Sequence, residues 1–279
     1  MTILITGSNG FIGKYLVKSL QENNNIIELY NGKKYLNDNN SKITCNLLDK
    51  DHINCFLAES FQIDFIIHTA SKLASTTNLK DMSLLHDNII IYEHVALVIE
   101  KYKPKKVINF SSIAVYPNED GEYFENSEIR PSANNDCLYG LSKFCGENIL
   151  DFLHKTTPII HLRIAQVYGE NMREDRIFKM MRNELQETNM ITVFGNGRRV
   201  SNFINIEILI NKISFFLEND IVGIFNIGEI NWSYQDLASQ IIIQYGNQTS
   251  QIKLVESGIS TKFILNIDKL KKMELTYGM

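Results

Sequence analysis

Tyr139 and Lys143 stand four residues apart in a stretch, Tyr139–Lys155, whose apolar spacing predicts a helix. One helical turn brings both side chains to the same face. A free tyrosine titrates at about pH 10 and is a poor base near neutrality. An ammonium group beside it favours the phenolate and lowers that value. Such a pair can exchange a proton with an alcohol or a ketone. The bland alternative is an amphipathic helix carrying a partly exposed aromatic.

Proton exchange of this kind needs a hydride partner, and the N-terminal segment offers one. Thr6-Gly7-Ser8-Asn9-Gly10-Phe11-Ile12-Gly13 follows the apolar run Thr2–Thr6 and opens a helix over Phe11–Gln21. Gly7 permits a tight turn, Gly10 lets a pyrophosphate approach the backbone, and Gly13 lets the helix pack close to the strand. The helix N-terminus then presents free N–H groups to the phosphates. Contacts to a nicotinamide dinucleotide are expected from Gly7, Asn9, Gly10, Phe11, Ile12 and Gly13, in a context that makes the glycine pattern specific.

The end of the second strand, Ile26–Tyr30, reports on the ribose. NAD-binding folds tend to place an acid there. Here the run is Tyr30-Asn31-Gly32-Lys33-Lys34. Asn31, Lys33 and Lys34 offer positive charge and no carboxylate, which points to NADP ahead of NAD. Glu28 within the strand counts against this, as does reading the lysines as a solvated loop.

The elements that must position these residues alternate. Strands are expected at Thr2–Thr6, Ile26–Tyr30, Ile43–Asn46, Ile63–Thr69, Lys106–Ser111 and Ile159–Arg163. Helices are expected at Phe11–Gln21, Asp51–Glu59, Met82–Lys101 and Tyr139–Lys155. Parallel neighbours need crossover helices, so the rhythm implies an α/β, Rossmann-type doubly wound parallel sheet. After Gly169 it loosens into short strands near Ile191–Phe194 and Ile224–Ile227, with helices near Arg176–Thr188, Glu207–Leu217 and Tyr234–Tyr245. Residues 1–168 therefore read as a dinucleotide-binding domain, with later elements near 203–227 returning to it. Residues 169–279 read as a smaller substrate-binding lobe. Asn37–Asn40 reads as a surface loop.

Composition narrows the class. The 279 residues are 44% hydrophobic and 22% charged, with a net charge of −4, so a packed core is expected and a basic footprint for nucleic acid is not. Cys45, Cys55, Cys137 and Cys145 form no CxxC pair and read as free thiols of a reducing cytoplasm. No apolar run approaches a membrane span, and no metal site is expected.

Further segments resemble the extended short-chain dehydrogenase/reductase family, in its epimerase/dehydratase group acting on nucleotide sugars. Beside the glycine turn, Asn46-Leu47-Leu48-Asp49 is similar to the family's Asp-Leu-x-Asp, which contacts adenine, with Asn46 in place of the first acid. His68-Thr69-Ala70-Ser71 resembles the segment that lines the cofactor, and Asn88 matches the asparagine of the following helix. Ser111-Ser112-Ile113-Ala114-Val115-Tyr116 resembles the motif whose catalytic Ser or Thr falls at Ser112. Tyr139-Gly-Leu-Ser-Lys143 matches Tyr-x-x-x-Lys. Leu162-Arg163-Ile164-Ala165-Gln166-Val167-Tyr168-Gly169 resembles Leu-Arg-x-x-Asn-Val-Tyr-Gly, with Gln166 replacing Asn. Phe225-Asn226-Ile227-Gly228 also fits. The resemblance implies Ser112, Tyr139 and Lys143 as the catalytic set. It implies cofactor contacts at Asn46, Leu47, Thr69, Ala70, Ser71, Asn88, Tyr139 and Lys143. It also implies a homodimer built on helices Met82–Lys101 and Tyr139–Lys155, whose apolar residues Ile91, Tyr92, Val95, Phe144 and Phe152 occupy more than one face.

Departures from the family narrow the activity. Its dehydratases resemble Thr-Asp-Glu where this chain has Ser112-Ile113-Ala114, and the two carboxylates that drive elimination are missing. Its reductases that also epimerise two carbons resemble Ser-Ser-Cys-x-Tyr-Pro, with a cysteine where this chain has Ile113. Simple hydride transfer remains, favoured as a 4-keto reductase of a nucleotide sugar, with a 4-epimerase as the alternative. A redox sensor on the same fold would keep the glycine turn without Tyr139 and Lys143. In the substrate lobe, Val193-Phe194-Gly195-Asn196-Gly197 resembles the segment that holds the nucleotide base. The family's diphosphate-gripping arginine falls on Ser201, so Arg198 or Arg199 is expected to replace it, with Ser112 and Gln166 nearer the sugar. The chain after Leu265–Leu270 is short for the final helix that the family adds.

Overall fold

A computed structural model describes residues 1–278. The first half runs β1 (Thr2–Thr6), α1 (Phe11–Leu20), β2 (Asn25–Tyr30), β3 (Leu36–Asp38), β4 (Lys42–Thr44), α2 (Lys50–Ala58), β5 (Phe65–His68), α3 (Ser83–Tyr102), β6 (Lys106–Ser112), β7 (Gly121–Tyr123), α4 (Cys137–Leu153), β8 (Ile159–Ile164) and β9 (Gln166–Tyr168). The second half runs α5 (Ile177–Thr188), β10 (Met190–Phe194), β11 (Val200–Asn205), α6 (Ile206–Glu218), β12 (Gly223–Ile227), β13 (Ile230–Ser233), α7 (Tyr234–Tyr245), β14 (Gln251–Val255), β15 (Phe263–Leu265) and α8 (Asp268–Tyr277).

The main sheet has eight strands in the order β12-β8-β6-β5-β1-β2-β4-β3, parallel throughout except for β3 against β4. The strand order steps outward in both directions from β1, as a doubly wound sheet requires. Strands buried on both faces read as continuous apolar runs. Along β1, Ile3 and Ile5 pack on one side with Leu16 of α1 and Leu209 and Ile213 of α6. Leu4 packs on the other with Ile53 of α2, Val95 and Ile99 of α3 and Leu150 of α4. A third core, of Phe178, Met181, Leu185, Ile191, Leu237 and Ile241, holds α5, α7 and β10 together beyond the C-terminal ends of the strands.

Caps set the starts of several helices. Asp49 accepts from the amides of Asp51 and His52 at the start of α2, and Ser233 with Asp236 forms a capping box on α7. β12 joins the main sheet beside β8, although more than fifty residues separate them.

Two expectations need correction. Asn37–Asn40 is not a plain loop: β3 pairs antiparallel with β4 through a turn in which Asn39 and Asn40 have φ of 55° and 58°. Asparagine tolerates this left-handed backbone, and two such residues make a tight hairpin turn. A final helix, α8, is present, and its Leu270 is fully buried. Ile91, Tyr92 and Val95, read as part of an apolar set on more than one face, are all buried inside the chain, because α3 is covered both by the sheet and by α4. Phe144 is partly buried against the core, and Phe152 is 71% exposed.

Candidate active site

A cavity of ≈ 870 Å³ runs from the glycine turn, over the C-terminal ends of β1, β5 and β6, to the third core. This is the place where doubly wound sheets bind ligands. Gly7, Asn9, Gly10, Phe11, Ile12 and Gly13 all line it. Gly7 has φ +72°, and a Cβ there would come within 2.9 Å of the Ala70 backbone. A Cβ on Gly13 would stand 2.2 Å from the Gly7 carbonyl oxygen. Gly10 starts α1 without a side-chain cap, so the first-turn amides stay free to meet a phosphate. These features fit a bound dinucleotide.

At the adenine end, Tyr30, Asn31, Asn46 and Leu47 line the cavity. Lys33 and Lys34 are exposed and lie outside it. Glu28 instead approaches Lys42, at 3.9 Å. Past β5, Thr69, Ala70 and Ser71 line the wall. Asn88 lies behind them. It is 1% exposed and off the cavity. Its carbonyl accepts from Ser71 Oγ (3.1 Å) and the Lys72 amide (2.8 Å), and its amide donates to the Lys72 carbonyl (3.0 Å) and Ser142 Oγ (3.1 Å). Asn88 therefore ties the β5 loop to α3 and α4.

Ser112, Tyr139 and Lys143 meet at the centre. Ser112 closes β6 and accepts from the Ala114 amide at 3.1 Å, capping a short 3-10 turn. Lys143 is 2% exposed. Its Nζ donates to the Phe110 carbonyl at 2.8 Å and lies 5.6 Å from the Tyr139 ring centroid. Burial pulls the Lys143 ammonium down to about 7, against a partial upward pull from Glu147. Burial pushes the Tyr139 phenol up to about 12; Arg176 lowers it, Asp136 raises it, and Ser71 and Arg173 lower it further. His68 is fully buried, hydrogen-bonded through Nδ1 to Thr6 Oγ1 at 2.7 Å, and held down to about 3 by burial and by the Lys143 charge. It is a neutral neighbour.

Beneath the pair, a buried network fixes α4 to the sheet. Arg163 of β8 grips Glu147 through two bonds, Nη2 to Oε2 at 2.8 Å and Nε to Oε1 at 3.1 Å. It also donates to Tyr116 Oη (2.9 Å) and the Glu125 carbonyl (2.9 Å), while Tyr116 donates to Asn226 at 2.8 Å. Glu147 is one turn after Lys143, so this clamp sets the height of the lysine.

The far end of the cavity, lined also by Met172, Phe178 and Phe203, carries several arginines. Gln166 lines it and donates to Ser201 Oγ at 2.8 Å. Arg199 lines it, stacked 4.8 Å over the Tyr234 ring, whereas Arg198 is exposed outside it. Val193 is 1% exposed in the third core and Phe194 is 57% exposed, so neither lines the cavity. Arg173, Arg176 and Asp136 line it and were not anticipated. Asp136 occupies the N-cap position of α4 but makes no side-chain cap bond. Its position three residues before Tyr139 was the only signal for it. Arg173 comes from the irregular segment before α5, which shows no periodicity to read, and Arg176 is the N-cap residue of α5.

Comparison with known proteins decides the family. The profile of the NAD dependent epimerase/dehydratase family matches residues 3–228. The chain belongs to this family. A dTDP-D-glucose 4,6-dehydratase of Dictyostelium discoideum is 29% identical over 268 residues, covering 86% of this chain and 61% of that protein. The chain thus spans under two thirds of that relative's length. A putative UDP-glucose 4-epimerase of Methanocaldococcus jannaschii is 26% identical, covering 80% of this chain and 76% of that one. Among solved structures, the UDP-glucuronic acid 4-epimerase of Bacillus cereus, in complex with UDP-glucuronic acid and NAD, superposes with a TM-score of 0.80 at 24% identity, over 98% of this chain and 92% of that chain. This likeness confirms the Rossmann-type fold. Among the described residues, no helix is long and apolar enough to cross a membrane.

Proposed function

We propose that the protein is an NAD-dependent nucleotide-sugar 4-epimerase. The observation that carries the reading is one continuous cavity joining the glycine turn, the Ser112–Tyr139–Lys143 centre and an arginine-bearing end. A dinucleotide and a diphosphate sugar both fit that sequence of surfaces. Residues 169–279 supply the substrate-binding lobe, to which Gln166, at the end of residues 1–168, adds its amide. Arg199, Arg173 and Arg176 offer planar donors to a diphosphate.

The bound nicotinamide supplies a hydride acceptor and donor. Tyr139 takes the proton from the sugar hydroxyl as the carbon is oxidised and returns one when the opposite face is reduced. The Lys143 ammonium favours the phenolate that the first step needs. Ser112 Oγ holds the reacting oxygen in line with Tyr139. Ile113 and Ala114 line the same cavity and offer no acid or base, which sets elimination of water aside.

NAD is proposed over NADP because the ribose end is lined by the neutral Asn31 and by no cation. Its amide can bond a 2′-hydroxyl, whereas a 2′-phosphate would meet no facing charge. The second reading, a 4-keto reductase using NADPH, is supported by the lack of an acid at the end of β2. Incubation of the purified protein with UDP- and dTDP-hexoses separates them. The epimerase interconverts 4-epimers without net change in NAD(P)H absorbance. The reductase consumes NADPH in proportion to product, and no turnover of either kind would refute the proposal. A homodimer through α3 and α4 is also proposed, resting on the exposed Leu97, Phe152 and Leu153.

A further inference from the structure

Tyr92 is a buried hydroxyl beside the catalytic centre that the proposed chemistry leaves without a task. It lies mid-way along α3 and is 1% exposed. Its ring occupies the space above Gly146 of α4: a Cβ on Gly146 would stand 2.1 Å from Tyr92 Cζ. The absence of a side chain at position 146 is what admits the ring. From there Tyr92 Oη lies 3.5 Å from Lys143 Nζ, and Nζ lies 5.6 Å from the Tyr92 ring centroid, the same separation as from Tyr139.

Lysine carries three N–H donors on a flexible stem and needs more than one acceptor to stay in place when buried. The protein contacts of this ammonium are the Phe110 carbonyl on β6 and Tyr92 Oη on α3. We propose that Tyr92 is a positioning residue: its hydroxyl oxygen accepts from the Lys143 ammonium and, with the Phe110 carbonyl, holds that charge under Tyr139. Two acceptors on different elements leave the third donor free for the cavity. The inference rests on the Tyr139–Lys143 reading of the centre.

The groups facing Lys143 are Tyr139 and Glu147 on its own helix, Tyr92 on α3, the neutral His68 on β5 and the Phe110 carbonyl on β6. An acceptor stabilises the protonated amine, so its removal lowers the pH at which Lys143 loses its proton. The test uses the full chain without cofactor, labelled with 15N-lysine. The Lys143 titration is followed by NMR in wild type and in Tyr92→Phe, which keeps the ring against Gly146. Tyr92→Leu is the second variant, with the same expectation. The midpoint should fall by about 0.5 pH unit or more in the variants relative to wild type. An unmoved midpoint, even with a lower Tm, would mean that Tyr92 only fills space, and a raised midpoint would mean that it donates instead of accepting. Either result overturns the proposal. The titration requires no turnover, so it stands apart from a failure of the epimerase reading.

Discussion

At the scale of the residue, the centre is built around an ammonium placed where solvation is poor. Burial pulls the Lys143 ammonium down to about 7 in the folded chain, against about 10.4 for a free lysine. The unfolded chain therefore binds an extra proton between those values, and folding is disfavoured by the buried charge at the acid end of that window. As pH rises from about 7 toward 10, this cost disappears. Lys143→Met should abolish turnover and yet stabilise the cofactor-free protein at pH 6 by roughly 2–4 kcal/mol. That gain should shrink steadily up to pH 10. Thermal unfolding across this range checks it, and a stability difference independent of pH would contradict the assignment. Burial pushes Tyr139 up to about 12 without cofactor, and the proposed mechanism assigns the Lys143 ammonium to favour its phenolate.

At the scale of the element, α4 carries the site and the Glu147–Arg163 clamp carries α4. Glu147→Ala leaves Arg163, which is 2% exposed, as a buried charge without its carboxylate. The expected loss is about 3–5 kcal/mol, read from denaturant unfolding. A loss near zero would mean that the clamp is relaxed in solution.

The elements also show what the sequence could disclose. The glycine turn, the Tyr139–Lys143 spacing and the end of β6 are local patterns, and each was legible because one short segment forms its whole geometry. The roles of Asp136, Arg173 and Arg176 were not legible: Arg173 lies in an irregular segment, and Asp136 and Arg176 are the N-cap residues of α4 and α5, whose side chains no period aims at a cavity. Val193 and Phe194 were placed by alignment to a motif, but β10 alternates one side chain into the third core and the next into solvent. The neighbour of Tyr92 was not legible, because an apolar residue on a second face of α3 reads the same whether another helix of the chain or a second subunit covers it.

At the scale of the whole molecule, two properties follow from how the lobes and faces are arranged. The cation-free ribose end predicts tighter binding of NADH than of NADPH to the apo-protein, by roughly several-fold to tenfold. Fluorescence titration of both measures it, and a preference for NADPH would restore the reductase reading. Leu97 on α3 and Phe152 and Leu153 on α4 remain exposed after the chain is folded, and the proposed dimer buries them. Light scattering at micromolar concentration should give twice the chain mass of 32.1 kDa. A single-chain mass would refute the dimer while leaving the catalytic centre intact. The central claim is that the sugar carbon hands its hydrogen to the cofactor and takes the same hydrogen back, with Tyr139 moving only the hydroxyl proton. The NAD-loaded protein turning over a nucleotide hexose in D2O tests it directly, with the product's C4 position read by proton NMR. The account predicts a 4-epimer that keeps protium at C4, and loss of its formation by about 100-fold or more in Tyr139→Phe. Deuterium at C4, or near-normal turnover in that variant, would contradict it.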